Sequence, residues 1–515
     1  MTAPRIVSAR DGELPPKLSQ ATFDLIVVGS GAGGSMCAQQ AAQAGLSVLV
    51  LEAGGHHLPS QMNQREGDML PRLFYDAGGR STQDGAVMIL HGRGIGGSTV
   101  HNTNLCKRAP AEVLQRWATS HDCPSWSPER VAPDYEAVET ELSVTPLTEE
   151  DVNRNNAIMR RGVEKLGWRG GLLQHNRRGC QRSGFCELGC AYDAKENAAK
   201  VVIPKALLFG ASVICDLRVV RILHDGKRVR GVSASVVRSD GSDGETLNIS
   251  ARAVCVSASA VLSPALLLHS DVPDPHKLVG KSLRLHPGVA VGGCFAEPVE
   301  AWKGIPQAYE CSEKLSFSDG AQDRCWLIPA FAHPGGFAGL QPGFGKQHAA
   351  AMRDYAKTAV VAAMLHDETK GVVSVDRNGR AKVDYALTES DAKALLRGIG
   401  AAADILLAAG AQEVMIPFAR PLLVRSPKEL SVLDSHRYRP LDPILTSVHP
   451  MGSLPMGLNP TRAVVDEQGR HHQLHGLYVA DGSLFPTSLG GPPQLTIYAT
   501  GRRVGNAIAA DLRHG

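Results

Sequence analysis

A glycine-rich stretch that ends in an imidazole is the first feature of this sequence that could do chemistry. Residues 92–102 read GRGIGGSTVHN, so four glycines are followed closely by His101 and Asn102. Glycine lets the backbone approach a bound group closely. An imidazole can act as a ligand, a base or a covalent anchor. The stretch therefore predicts a loop that lies against a bound group.

A group of cysteines is the second such feature. Cys180, Cys186 and Cys190 lie in CQRSGFCELGC, with C-x5-C-x3-C spacing. Thiolates are suitable ligands for an iron–sulfur cluster. Zinc would require a fourth ligand, for which His175 is the nearest candidate. The same thiols could instead be reduced and buried, or form a local disulfide.

Near the start of the chain, another glycine loop lies between two predicted strands. Residues 25–28 predict a buried strand, residues 29–34 read GSGAGG, a helical stretch runs to Gly45, and a strand at 48–51 ends at Glu52. Such a unit can hold a pyrophosphate at the helix N-terminus, with the acid on a ribose. A strand–helix–strand crossover that binds nothing is the alternative. Because a soluble nicotinamide cofactor would not need a second glycine loop, we expect FAD, with the two loops at its opposite ends.

Composition limits the classes of function. The chain has 515 residues, of which 43% are apolar and 20% charged, as in globular enzymes. A net charge of +3 argues against nucleic-acid binding. No apolar run is long enough to predict a membrane span. The first residues lack the apolar core of a secretory signal and the eleven cysteines are scattered, so we expect a cytoplasmic protein.

The sequence resembles the glucose-methanol-choline (GMC) family of FAD-dependent oxidoreductases over nearly its whole length. Besides the two glycine loops, the matching blocks cover residues 254–270, 279–288, 447–457 and 477–497. The resemblance implies an α/β fold, in which a Rossmann-like FAD-binding domain is assembled from discontinuous segments and an α+β substrate domain of antiparallel sheet and helices is inserted. The FAD-binding domain would take residues 20–110, 198–290 and 440–515. The substrate domain would take residues 111–197 and 291–439.

Local patterns support an inserted layer. GVVSVDRNGRAKVDYAL predicts a hairpin, in which Asn378 and Gly379 suit a two-residue turn. A helix is predicted from Thr388, in TESD, to Gly410, with an Asp in the capping box where Glu is usual. A hairpin followed by a helix outside any strand–helix–strand unit is typical of an α+β layer.

The resemblance also implies the catalytic residues. His449, in HPMG, matches the family's proton-accepting histidine, and an imidazole can accept a proton near neutral pH. Most members have a second His or Asn where this chain has Pro492. Proline has no N–H donor and no polar side chain. Either His449 works alone, another side chain substitutes, or the chemistry is not plain alcohol oxidation.

The resemblance places FAD against both glycine loops, the Asp481–Gly482 segment and the start of a helix near Pro493. The free N–H groups of Gln494 and Leu495 would face the edge of the flavin where negative charge develops. The cofactor-binding residues that we expect are Gly29, Gly31, Ala32, Gly34, Glu52, Ala53, Arg93, Gly96, Gly97, Ser98, His101, Asn102, Val220, Asp481, Gly482, Pro493, Gln494 and Leu495.

Two further cofactor features follow from the resemblance. Family members with a histidine at the position of His101 include some in which it is bonded covalently to the flavin, so we expect such a bond, with simple packing as the alternative. The spacing of Cys180, Cys186 and Cys190 resembles that of bacterial FAD-dependent glucose dehydrogenases, in which three cysteines hold a [3Fe-4S] cluster. Buried free thiols are the favoured interpretation.

The function expected is oxidation of a small-molecule alcohol to a carbonyl, with His449 accepting the proton and flavin N5 the hydride. The acceptor of the electrons would be oxygen, a quinone or a cytochrome. The alternative is non-oxidative lyase or decarboxylase chemistry on the same fold, because Pro492 replaces the second His or Asn of most members. The sequence does not identify the alcohol.

Overall fold

The computed structural model describes residues 6–12, 14–15, 17–330, 333–341 and 343–514. The strands of this part of the chain are β1 (Ile6–Ser8), β2 (Thr22–Val28), β3 (Val48–Leu51), β4 (Val87–Ile89), β5 (Val144–Pro146), β6 (Gly170–Leu172), β7 (Gln174–Asn176), β8 (Ser212–Cys215), β9 (Leu217–His224), β10 (Val229–Val237), β11 (Asp243–Val256), β12 (Lys281–Arg284), β13 (Gly288–Cys294), β14 (Tyr309–Cys311), β15 (Cys325–Pro329), β16 (Thr358–Leu365), β17 (Val372–Val375), β18 (Ala381–Asp384), β19 (Glu413–Ile416), β20 (Leu422–Val424), β21 (Leu445–Ser447), β22 (Met451–Ser453) and β23 (Leu477–Val479).

The α-helices described are α1 (Ala32–Gln43), α2 (Glu66–Leu73), α3 (Ala111–Ser120), α4 (Pro128–Glu141), α5 (Arg154–Lys165), α6 (Ile203–Leu208), α7 (Ser259–His269), α8 (Pro334–Leu340), α9 (Lys346–Arg353), α10 (Glu389–Ala408), α11 (Val432–Ser435) and α12 (Gln494–His514). Within the described ranges, no helix has the length and hydropathy that a membrane span requires.

A mostly parallel sheet carries the first glycine loop. Its strand order is β1-β8-β3-β2-β11-β10-β9, with β23 also pairing with β11, and all of its pairings are parallel except those of β10 with β9 and with β11. The apolar runs at 25–28 and 48–51 are buried, as expected where helices cover a parallel sheet. α1 follows the loop and packs against α12. The predicted strand–loop–helix–strand unit is confirmed.

An antiparallel sheet forms the second layer. Its order is β20-β19-β13-β16-β15-β14-β6, and β21 links β13 to β4. α10 packs across β16 and β13 and against α5, around a separate apolar core. The predicted fold class, a Rossmann-like α/β unit with an antiparallel sheet and helices inserted in it, is confirmed. β4, β13 and β21 pair in this second sheet although the ranges predicted for the first domain contain them wholly or in part, and the domain boundaries stay predictions.

The predicted hairpin forms from β17 and β18, but its turn is longer than predicted. The backbone N–H of Asp376 donates to the carbonyl of Arg380 at 3.0 Å, so three residues, not two, close the loop. The Asp376 carboxylate accepts the N–H groups of Asn378 and Arg380, and Gly379 has a φ of +74°. The two-residue turn was wrong because the side chain of Asp376 stabilises the wider loop.

The helix predicted after the hairpin is confirmed as α10. The Thr388 hydroxyl accepts the N–H of Asp391 at 3.2 Å, which is half of a capping box. The Asp391 carboxylate points elsewhere. It accepts the Thr369 N–H at 2.7 Å and pairs at 2.8 Å with the buried guanidinium of Arg324. The helix end therefore also fixes the loop that follows β16.

Candidate active site

Only one glycine of the first loop faces open space. A Cβ built on Gly29, Gly33 or Gly34 would lie 2.4 Å or less from a backbone oxygen, so the packing of the chain itself requires these glycines. A Cβ on Gly31 meets no atom within 4 Å. Because α1 begins at Ala32, the free N–H groups of a helix N-terminus lie beside this opening. This is the geometry that a pyrophosphate needs.

The second glycine loop lies directly against the first. A Cβ on Gly97, whose φ is +53°, would be 3.0 Å from the Cα of Gly31. The hydroxyl of Ser30 accepts the N–H of Gly96 at 3.1 Å. The expectation that the two loops lie at opposite ends of a cofactor is therefore wrong. They form one continuous surface of backbone.

Glu52 is the residue that joins the two loops. Its carboxylate accepts the N–H and the hydroxyl of Ser30 at 3.1 and 2.7 Å, and the N–H groups of Gly54 and Gly94 at 2.9 and 3.3 Å. Burial raises the pKa of the Glu52 carboxyl above its usual range, while these hydrogen bonds act to lower it. A buried carboxylate needs such donors, which is why both loops converge on it. The predicted contact of Glu52 with a ribose stays a prediction.

His101 lies at the end of the second loop with one nitrogen unused. Its ring is buried and packs on Phe74 with a centroid distance of 3.9 Å. Nε2 has no hydrogen-bond partner among the described residues. Burial, helped by the charge of Lys195, lowers the pKa of His101 to about 3, so the ring is neutral. An orphaned buried nitrogen costs free energy, and a group bound beside it would remove that cost.

The start of α12 is tied to the second loop. The helix begins at Gln494, directly after Pro493, as predicted. The side chain of Asn102 donates to that of Gln494 at 2.6 Å. The first N–H groups of the helix, those of Gln494 and Leu495, therefore lie close to the loop that carries His101. A helix N-terminus stabilises negative charge there.

His449 pairs with a second histidine that the sequence reasoning missed. β12 and β22 run antiparallel, with Arg284 opposite Met451, so the ladder brings together His286 and His449. Their Nδ1 atoms are 2.9 Å apart, and the rings are stacked at 21°. Both precede a proline, and His286 lies in the matching block at residues 279–288, but neither feature indicates that the two rings meet.

The histidine pair is neutral. Burial and His286 hold the pKa of His449 well below its usual range, and burial lowers the pKa of His286 to about 3. Nε2 of His449 makes no hydrogen bond to the described part of the chain, whereas its Nδ1 is engaged. A neutral imidazole with one free nitrogen is what a general base requires.

Pro492 lies in a buried segment that offers the site no polar side chain. A Cβ on the preceding Gly491 meets nothing within 4 Å, and one on Gly490 would lie 3.1 Å from the Cβ of His366. His366 in turn contacts the carbonyl of Ser488 at 3.2 Å. The backbone at Gly491 therefore lines open space.

The segment after β23, which contains Asp481 and Gly482, lies next to the segment that contains His449. The Asp481 carboxylate accepts the N–H of Ser259 at 2.8 Å and the hydroxyl of Ser263 at 2.5 Å. A Cβ on Gly482 would be 3.4 Å from the carbonyl oxygen of Pro450. Asp481 and Gly482 are thus close to the candidate base, and their contact with a cofactor stays a prediction.

The other predicted cofactor residues lie around the same loops. Arg93 and Ser98 belong to the second loop, where the Ser98 hydroxyl accepts the N–H of Gly92 at 2.9 Å. Ala53 follows Glu52. Val220 lies in β9, whose first residue donates its N–H to the Glu52 carbonyl at 2.9 Å.

The three cysteines share a small cavity. Cys180, Cys186 and Cys190 line a space of about 20 Å³, which is room for about one water molecule. Arg177 donates to the sulfur of Cys180 at 3.4 Å. Within the described ranges, no three His, Cys, Asp or Glu side chains are arranged to hold a metal ion, and the buried His175 contacts Arg177. All eleven cysteines are free. The structure therefore gives the iron–sulfur and zinc alternatives no support.

Comparisons with solved structures agree with this architecture. Pyridoxine 4-oxidase from Mesorbium loti superposes with a TM-score of 0.71 at 19% identity, covering 96% of this chain and all of that one. A variant of Aspergillus oryzae formate oxidase gives 0.69 at 16% identity, covering 96% and 99%. At these identities the likeness shows the fold alone.

Sequence comparison shows the family. The N-terminal model of GMC oxidoreductase matches residues 26–288 and the C-terminal model matches residues 368–501. A GMC-type oxidoreductase of Mycobacterium tuberculosis is 33% identical over 494 residues, which cover 95% of this chain and 76% of that protein. A long-chain-alcohol oxidase of Arabidopsis thaliana is 27% identical over 524 residues, covering 96% and 68%. The chain belongs to the GMC oxidoreductase family.

Proposed function

We propose that this protein is an FAD-dependent oxidoreductase that oxidises an alcohol to a carbonyl compound, with His449 as the general base. The observation that carries the proposal is the placement of His449: its Nδ1 lies 2.9 Å from Nδ1 of His286, and its Nε2 makes no hydrogen bond to the described residues. Burial also lowers the pKa of this ring well below its usual range. The long-chain-alcohol oxidase among its relatives supports an alcohol as the substrate.

The residues present fit FAD. Gly31 faces open space at the N-terminus of α1, where the pyrophosphate would bind, and Glu52 would contact the ribose. Gln494 and Leu495 at the start of α12 would face the flavin edge that becomes negative. The orphaned Nε2 of His101 would lie against the ring. FAD, when bound, supplies the acceptor for the hydride that leaves the carbinol carbon.

The chain's own part in the reaction is to hold the alcohol and to take a proton. The free Nε2 of His449 accepts the hydroxyl proton, and the lowered pKa of this ring means that it is neutral near pH 7 before the transfer. Positive charge then develops on a ring whose Nδ1 contacts His286. Pro492 takes no part in this transfer, since it has no N–H donor and no polar side chain.

We further propose that His101 is bonded to the flavin through Nε2. This nitrogen is buried and without a partner in the described structure, and the loop that carries it is built for close contact. We propose oxygen as the electron acceptor, because the relative from Arabidopsis thaliana is named a long-chain-alcohol oxidase. A quinone or a cytochrome is the alternative.

Anaerobic mixing tests the reaction class. The FAD-loaded protein is mixed with sugars, aromatic alcohols, terpenoid alcohols and long-chain alcohols, and the visible flavin absorbance is followed. We expect bleaching with at least one class, slowed by about 10²- to 10⁴-fold in His449→Gln. The exposed His276 provides the matched control, since His276→Gln should bleach at the wild-type rate. Product formed without bleaching would instead support the lyase alternative, and a broad brown absorbance would indicate iron at the cysteines.

A further inference from the structure

His286 lies beside His449, the candidate base, and contacts its Nδ1. We propose that His286 is a positioning residue for His449: it holds His449 in the tautomer that carries the proton on Nδ1, and it shares the positive charge when Nε2 takes a proton. The inference rests on the proposed function, since it assigns a partner to the same base.

The geometry of the pair defines which nitrogen is available. The two Nδ1 atoms are 2.9 Å apart, which is a hydrogen-bond distance. A hydrogen bond between two neutral imidazoles needs one N–H and one lone pair. When the proton is on Nδ1 of His449, its Nε2 presents a lone pair to the substrate side. The opposite arrangement would leave His449 unable to accept a proton at Nε2.

His286 is fixed where this contact demands it. The residue is fully buried, and its φ of +46° is uncommon for any residue other than glycine. The carboxylate of Asp367 accepts the backbone N–H groups of Leu285 and His286 at 2.9 and 3.2 Å. The hydroxyl of Tyr385 donates to the same carboxylate at 2.6 Å. An unusual backbone conformation held by several hydrogen bonds is typical of a functional site.

Among the described residues, two titratable neighbours of His286, namely His366 and Asp367, have other hydrogen-bond partners. His366 adds an unfavourable charge to protonated His286, and its own two nitrogens contact the carbonyls of Ser316 and Ser488. Asp367 is occupied by the backbone and by Tyr385. In the proton-transfer step, the O–H bond of the alcohol breaks and the Nε2–H bond of His449 forms. The hydrogen bond between the two Nδ1 atoms then becomes charge-assisted. Charge-assisted hydrogen bonds are stronger than neutral ones.

Two substitutions separate positioning from packing. Asn tolerates a positive φ and can accept a hydrogen bond near the position of Nδ1, so His286→Asn should retain the contact. His286→Leu has a similar size and offers no acceptor. We expect the limiting rate of flavin bleaching, per bound flavin, to fall by about 10- to 100-fold in His286→Leu and to be largely restored in His286→Asn. The alcohol concentration for half-maximal rate should change little, because binding is unaffected.

The His286→Leu variant can fail to fold, because leucine disfavours a positive φ. The tautomer of His449 is therefore also measured directly. Protein labelled with ¹⁵N-histidine is examined by NMR near pH 7, and the signals of His449 are identified as those lost in His449→Gln. We expect a protonated Nδ1 and an unprotonated Nε2. His276→Asn, at an exposed histidine, controls for the substitution itself.

The outcomes distinguish a failure of this inference from a failure of the proposed function. If wild-type flavin bleaches with an alcohol and His286→Leu bleaches equally fast, or if Nε2 of His449 carries the proton, His286 is not the positioning residue. If no alcohol bleaches wild-type flavin, the proposed function fails, and the NMR tautomer still decides whether His286 controls the state of His449.

Discussion

Gly31→Ala should separate the stability of the first glycine loop from its capacity to bind a dinucleotide. An added Cβ at Gly31 meets no atom of the chain within 4 Å, and the φ of −67° is readily adopted by alanine. The proposed pyrophosphate, in contrast, would lie over this position and meet the methyl group. The two effects of the substitution should therefore differ.

The magnitudes follow from these contacts. No contact within the chain is lost, so the free energy of unfolding of the FAD-free protein should change by no more than about 0.5 kcal/mol. The affinity for FAD should fall by about 10- to 100-fold, because forcing a methyl group into a packed contact typically costs about 1–3 kcal/mol. Gly33→Ala is the opposite case. Its Cβ would lie 1.7 Å from the carbonyl oxygen of Ala480, and we expect the variant not to fold.

The assay compares urea unfolding with FAD titration. Both are made in a His101→Asn background, so that FAD can be removed without breaking a covalent bond. Gly171→Ala is the matched control, since its Cβ also meets nothing within 4 Å and it lies in β6, away from both loops. Unchanged FAD affinity in Gly31→Ala would refute the placement of the pyrophosphate. A large loss of stability would refute the claim that this glycine is open.

Three further predictions concern the same site. Glu52→Gln should lower the free energy of unfolding in urea by about 1–3 kcal/mol, because the amide leaves at least one buried N–H without an acceptor, whereas exposed Glu245→Gln should not change it. His101→Asn should release flavin into the supernatant on acid precipitation, and a colourless pellet from the wild type would contradict the covalent bond. The melting temperature should fall as the pH is lowered from about 7 to about 5. The pKa values of His101 and His286 are lowered to about 3, so below about pH 6.5 the unfolded chain binds more protons than the folded one. Calorimetry should show a shallower decline in His286→Asn, and an equal decline would contradict this assignment.

Features set by local sequence were predictable. The strand ending at Val28, α1 and the strand before Glu52 depend on short apolar runs and on glycine, which act over a few residues. The cap at Thr388 likewise depends on the next three residues. The hairpin turn was predicted wrongly, since the Asp376 side chain, and not only the Asn378–Gly379 dipeptide, decides its length.

Features set by distant pairing were not predictable. His286 and His449 are 163 residues apart, and only the pairing of β12 with β22 brings them together. The role of Glu52 in joining two loops also depends on a contact with Gly94, which lies in a different segment. Both are consequences of tertiary structure, on which residue type and spacing carry little information.

A crystal structure of the protein with FAD tests the central claim most directly. We predict that the flavin ring lies between His449 and the start of α12, with Nε2 of His449 facing flavin N5 across a gap that admits one carbinol group. The same structure should show His101 against the ring. A flavin bound elsewhere, or a cavity filled by side chains with His449 turned away from N5, would contradict the account.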